Sequence, residues 1–242
     1  MTARLAIAAA APACLVLAGC AGGEGPRDRR AAYLGQSAQP SEIIAAELQF
    51  ARMAREKGTW TAFRETATDD AVWPGPQWQN VKAAIKGWPD PAQPIVWEPD
   101  SVWMSCDGSY ALATGPGTYP TGRRTRYVTV WQRQADGGYK WVLDQGFDLE
   151  TGYAKPEMIA TAVADCQDRR PGKAAPVRRG EAWQSAASDD GSLRWRTSTT
   201  ASCAHSLVVE IRQAGGMREV FRRTAAVPPP PKDAAPQSCV AT

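Results

Sequence analysis

Three aspartates and two tyrosines define the chemistry that this sequence can attempt. A carboxylate held in apolar surroundings becomes a base near neutrality. A Tyr hydroxyl can then hold the oxyanion that forms when a proton leaves carbon beside a carbonyl. Asp70, Asp144 and Asp148 are the candidate acids, and Tyr110 and Tyr127 the candidate donors. Asp144 stands out because it lies in strand-like sequence beside apolar neighbours, so the candidate catalytic set is Asp144, Tyr127 and Tyr110. The structural alternative is that Asp144 pairs with an arginine such as Arg124 or Arg126, or lies on the open face of a sheet. That alternative is the expectation. Asp69 and Asp70 read as turn or cap residues. The single histidine, His205, lies far downstream and reads as an ordinary surface residue. Without a histidine near the carboxylates, Ser-His-Asp and Cys-His catalysis and a His-ligated metal are excluded there. No metal and no cofactor is expected.

Two further residue types are unusual. Seven of the ten tryptophans fall between Trp60 and Trp131, with Trp141 just beyond. Trp60, Phe63, Trp103, Trp131 and Trp141 are the candidate lining of a pocket for a small apolar or aromatic ligand. Of the six cysteines, Cys106, Cys166, Cys203 and Cys239 are the candidates for disulfides, with Cys106–Cys166 and Cys203–Cys239 preferred among three possible connectivities. No C-x-x-C occurs, which argues against a thioredoxin-like or zinc site.

The chain opens on one basic residue, Arg4, and an apolar run from Leu5 to Leu17, too short to span a bilayer. The run ends in Leu17-Ala18-Gly19-Cys20. This resembles the lipobox of bacterial lipoproteins. The resemblance implies that residues 1–19 are removed and that Cys20 is lipidated, anchoring the chain to a membrane. Ala21 stands where an Asp would retain such a protein at the inner membrane, so the resemblance implies the periplasmic face of the outer membrane. Net charge is +3 overall, −3 over residues 41–150 and +4 over residues 151–242. Neither half has the basic density of a nucleic-acid binder, and no nucleic-acid partner is expected.

These residues need elements to position them. Residues 20–40 read as a flexible tether. Ile43, Ile44, Leu48, Phe50, Ala51 and Ala54 give Ser41–Lys57 a helical apolar face, with Ser41 as its cap and Gly58 as its stop. Thr59 caps a second short helix to about Ala67, and a third is predicted over Gln79–Lys86. The period then becomes two. Strands are predicted at 95–105, 110–118, 125–134 and 139–148, separated by turns at Gly108, Gly122 and Gly137. Residues 151–180 read as a helix and linker, with Pro156-Glu157 as a helix start. Residues 181–227 form a small β module, and residues 228–242 a proline-rich tail. The fold class is α+β: a cone-shaped, curved antiparallel sheet packed on N-terminal helices, plus a small C-terminal β module.

Residues 41–150 resemble the nuclear-transport-factor-two-like superfamily, in its SnoaL-like, ketosteroid-isomerase-like branch. The carriers are the helix from Ile43 to Lys57, Trp60-Thr61-Ala62-Phe63 leading into Asp69-Asp70-Ala71-Val72-Trp73, and the closing strands Val128–Arg133 and Trp141–Asp144. The resemblance implies a cone with a pocket at its wide end. It also implies histidines near positions 143 and 145, where this chain has Leu143 and Gln145. The expectation is an envelope lipoprotein with a non-catalytic ligand-binding or scaffold role; a subunit of an envelope assembly that uses the open sheet face for a homodimer or another partner is a further reading. The alternative is a small-molecule isomerase, cyclase or lyase with a carboxylate base in the cone.

Overall fold

The computed structural model describes residues 38–74, 78–166, 177–180 and 182–225. Cys20 and Cys239 lie outside them, as do the predicted leader, the proline-rich residues 228–242 and most of the predicted tether and linker.

Helix α1 (Pro40–Lys57) buries Ile43, Glu47, Phe50, Ala51 and Ala54 along one face. Pro40 sits in its first turn, where a missing N–H costs nothing. Gln39 occupies the cap position without a side-chain bond, so Ser41 lies inside the helix instead of capping it. Helix α2 (Thr59–Thr66) follows after Gly58, at φ 108°. Its N-terminus is closed from a distance, because the Asp90 carboxylate accepts from the Trp60 N–H (2.5 Å), the Thr61 N–H (3.1 Å) and the Thr61 hydroxyl (2.6 Å). A side chain at position 58 would run into Asp90, so the glycine makes room for the cap. Thr59 is not the cap; its hydroxyl accepts from the Ile95 N–H at 3.1 Å.

The Asp69-Asp70 pair sits within a strand, β1 (Ala67–Trp73), and not in a turn. Then come β2 (Gln79–Asn80), the single turn α3 (Val81–Ala84), β3 (Val96–Trp97) and β4 (Ser101–Met104). Pro99, which has no N–H to donate, falls in the gap that divides the predicted 95–105 strand. β5 (Tyr110–Thr118), β6 (Arg124–Arg133) and β7 (Tyr139–Asp148) form the expected long meander. Residues 151–163 form no helix; only β8 (Ala160–Val163) is regular, and it pairs parallel to β4. The sheet runs β2-β1-β7-β6-β5-β4-β8, with β3 against the far end of β5. Fold class is α+β, with the curved, mainly antiparallel sheet wrapped on the N-terminal helices.

A second sheet is built from β9 (Arg178–Arg179), β10 (Trp183–Ala187), β11 (Leu193–Thr199), β12 (His205–Gln213) and β13 (Gly216–Ala225), in the order β13-β12-β11-β10-β9. It covers the outer face of the first. Tyr110, Leu112, Val128, Val130, Leu143 and Phe147 meet Leu193, Trp195, Leu207, Val209, Ile211 and Phe221 in one apolar layer. The alternate residues of the same strands, among them Ala111, Ala113, Tyr127, Trp131 and Trp141, pack on α1 and α2. The outer face that a homodimer or another partner would use is therefore occupied by the chain's own C-terminal sheet.

Cys106 and Cys166, just past the ends of the paired strands β4 and β8, form a disulfide with Cα atoms 5.1 Å apart. A charged network ties the covering sheet to the first. Arg126, buried in the first sheet, donates to Asp100 (3.1 Å) and Glu150 (2.6 Å), and Glu150 also accepts from Arg223 of β13. The Tyr153 hydroxyl completes the Asp100 side at 2.9 Å. Every charge in this network has an opposite partner, which a buried ion needs. Cys203 is disulfide-bonded, and its predicted partner Cys239 lies outside the described residues.

Candidate functional site

A β-bulge decides what the cone contains. Val130 is opposite Leu143 but Trp131 is opposite Trp141, so Val142 is an extra residue in β7. Strict alternation would put Trp141 and Asp144 on opposite faces. With the bulge, both point toward the helices, while Leu143 and Phe147 face the covering sheet.

Asp144 is opposite Thr129, whose hydroxyl donates to it at 3.0 Å. No basic side chain is among the groups that set its charge, so the expected pairing with Arg124 or Arg126 is overturned. Arg126 is spent on Asp100 and Glu150. Protein surrounds the Asp144 carboxyl except for a partial opening, and burial pushes it up to about 7 against the Thr129 bond.

The second acid of the site is Glu47, which sequence reasoning passed over. It is fully buried, and its two oxygens accept from the Trp131 indole (2.7 Å) and the Trp97 indole (3.2 Å). Burial pushes it up to about 7, opposed by the indole donors and reinforced by the charge of Asp144. Two neighbouring carboxyls raised this far do not both ionise at neutral pH. A signal was present: Glu47 shares a helical stripe with Ile43, Phe50, Ala51 and Ala54, where an acid has no business unless it is bonded.

The candidate donors part company. Tyr127 faces inward beside Glu47, and burial first, then the neighbouring Glu47, raises its hydroxyl well above its usual value. Tyr110 lies in the layer between the sheets, with burial as the main cause of its raised pKa and with Asp189 and Asp70 near it. It cannot share a ligand with Asp144. Asp70 pairs with Arg179 at 2.7 Å and Asp148 with Arg123 at 3.4 Å, so both are surface partners.

The cone is mostly filled. A narrow inner cavity of about 40 Å3 remains between Phe50, Trp97, Tyr127 and Asp144. It shares Asp144, Phe63, Ile95, Tyr119, Thr125 and Gly146 with an outer cavity of about 320 Å3, which adds Trp60, Trp73 and His205. Of the predicted lining, Trp60 and Phe63 are in place. Trp131 and Trp141 are fully buried packing residues, the latter donating to Thr66 at 2.8 Å, and Trp103 packs near Phe221 on the other side of the sheet. Trp73 lines the cavity although it was not singled out. His205 is no ordinary surface residue, since it reaches the cavity from the covering sheet with its ring 6.0 Å from Phe147. Burial lowers its pKa, against hydrogen bonds to the backbone of Cys203 and Gly146, and favours the neutral ring.

Larger hollows of about 700 and 650 Å3 lie on the covering sheet and beside the Arg126 network. Their acids already have basic partners, Glu210 with Arg194 in the first and Asp100 with Arg126 in the second, whereas Asp144 has none, so the cone cavity carries the stronger chemical case. Among the described residues, no group of three or more His, Cys, Asp or Glu is placed to hold a metal.

No family model matches the sequence, and no curated protein matches it. Among solved structures, the chain is similar to a candidate ketosteroid isomerase from Parabacteroides distasonis, at 16% identity over 48% of this chain and 97% of the other, with a TM-score of 0.36. It is similar to an NTF2-like protein of unknown function from Pseudomonas putida, at 16% identity over 49% and 94%, with a TM-score of 0.33. A further NTF2-like protein of unknown function, from Burkholderia xenovorans, is 20% identical over 49% and 91%, with a TM-score of 0.32.

Proposed function

We propose that this chain is an envelope lipoprotein that binds a small molecule in a nuclear-transport-factor-two-like cone. The observation that carries the reading is the outer cavity of about 320 Å3, walled by Trp60, Phe63 and Trp73 with Asp144 in its lining. That volume and mix of aromatic walls with few polar groups suits a small ligand. Tyr127 lines only the inner cavity of about 40 Å3, too small to let a substrate reach both it and Asp144. This favours binding over turnover. The Leu17–Cys20 motif supports the anchor, which would hold the cone at the periplasmic face of the outer membrane. Mass spectrometry of the mature protein tests the anchor, and an unmodified Cys20 refutes it.

A second reading has one specific observation behind it. Asp144, pushed up to about 7, is matched to proton transfer near neutrality. Isomerase or lyase chemistry would use it as the base, with Tyr119 as the donor that lines both cavities. Wild-type protein and Asp144→Asn should both leave a panel of enolisable ketones and lactones unchanged. Turnover by wild type that vanishes in a folded Asp144→Asn variant installs the enzyme instead.

A further inference from the structure

We propose that the cavity above Asp144 takes a small organic cation, a primary amine or a quaternary ammonium, with Asp144 as its counter-ion and Trp60, Phe63 and Trp73 as its walls. The proposal rests on the pocket reading and adds the class of ligand. Three observations carry it. The aromatic walls are set at angles to one another, with Trp60 and Trp73 centroids 6.1 Å apart at 77° and Phe63 and Trp73 6.2 Å apart at 57°. All three rings line the same partly open cavity as Asp144, and an aromatic face within reach attracts a cation. Asp144 is bonded to Thr129 alone, and among the described residues no lysine or arginine compensates it. A buried carboxylate without a counter-ion is costly, and a cationic ligand would remove that cost.

Among the described residues, the other charged or titratable groups facing the site are one acid, one arginine, two phenols and one histidine. Glu47 comes from α1, Tyr127 from β6, Tyr119 and Arg123 from the β5–β6 turn, and His205 from β12. Arg123 is engaged with Asp148 at 3.4 Å. An anionic ligand would meet two carboxyls and would have to take Arg123 from its partner. A neutral ligand would gain from the walls but leave Asp144 uncompensated.

Calorimetric titration of the full chain with benzyltrimethylammonium, benzylamine and benzyl alcohol separates these cases. The cations are expected to bind at least tenfold more tightly than the alcohol at pH 7.5. Asp144→Asn, checked for folding by circular dichroism, is expected to abolish that preference. Equal or tighter binding of benzyl alcohol to the wild type overturns the proposal without reference to any variant, as does a preference that persists in Asp144→Asn. If the alcohol binds best and Trp73→Ala weakens it, the cavity stands and the cation falls. If Trp73→Ala changes none of the three, or nothing binds, the pocket reading itself falls with it.

Discussion

Replacing Glu47 with Gln should change stability by an amount that depends on pH, in a direction the structure fixes. Gln keeps the shape and can still accept from the Trp131 indole. Its amide nitrogen cannot accept from Trp97, which now donates at 3.2 Å to the second carboxylate oxygen. An unsatisfied buried N–H costs about 1–3 kcal/mol, so the variant should be the less stable at acid pH. The wild-type acid carries a cost of its own. Its folded pKa, about 7, lies above the unfolded value near 4.3, so stability is fully present below pH 4 and falls as pH rises toward 7. Each pH unit within that window removes about 1.36 kcal/mol, and from pH 5 to pH 8 the loss comes to about 2–3 kcal/mol. The amide in the variant has nothing to titrate. The gap between wild type and variant should therefore shrink by about 2–3 kcal/mol over that range, closing or reversing near pH 8. Urea denaturation at half-unit steps, with disulfides intact, measures it. A gap that stays constant within about 1 kcal/mol, or widens with pH, refutes the assignment of Glu47 as a buried, largely protonated acid.

Replacing Cys106 and Cys166 with Ser opens a loop of 60 residues, and chain entropy puts the loss at about 4 kcal/mol, read as a lower urea midpoint. An unchanged midpoint would show that the bridge does not constrain the unfolded chain. Asp90→Ala should cost about 1–2 kcal/mol in the same assay, because it strips the start of α2 of its acceptor. Asp90→Asn should recover part of the loss; equal losses in the two variants would mean that the cap contributes little.

What the sequence revealed depended on whether the governing contact was local. The limits of β5 and β7 follow from alternation and from glycine turns, and α1 from its stripe, because each is set within a few residues. Residues 151–163 look helical by local preference, yet β8 pairs with β4, some 60 positions upstream, and that distant edge decides the outcome. β1 was missed because its buried and exposed residues come in pairs, Ala67 and Thr68, then Asp69 and Asp70, with a register shift between Ala67 and Val72. Asp144 was legible as an acid but not as an inward-facing one, since its direction hangs on the bulge at Val142. Glu47 was legible only as a polar residue on an apolar stripe. The role of His205 was hidden, because it belongs to a sheet whose placement no local pattern specifies.

The covering sheet also sets an order of events. The strands of the cone leave the ribosome before the residues that shield them, since Phe221 follows its neighbour Phe147 by some 70 residues. At the usual pace of translation that is an interval on the order of 4–15 s, during which a prematurely formed cone would present Tyr110, Leu112, Val128 and Val130 bare. A chain threaded unfolded through a secretion channel and released whole would never pass through that half-clad stage. Expressed in a compartment where it folds as it emerges, the same sequence would spend those seconds as an adhesive intermediate, and truncation before β10, which removes Leu193, Trp195, Leu207, Val209, Ile211 and Phe221 together, would make the condition permanent.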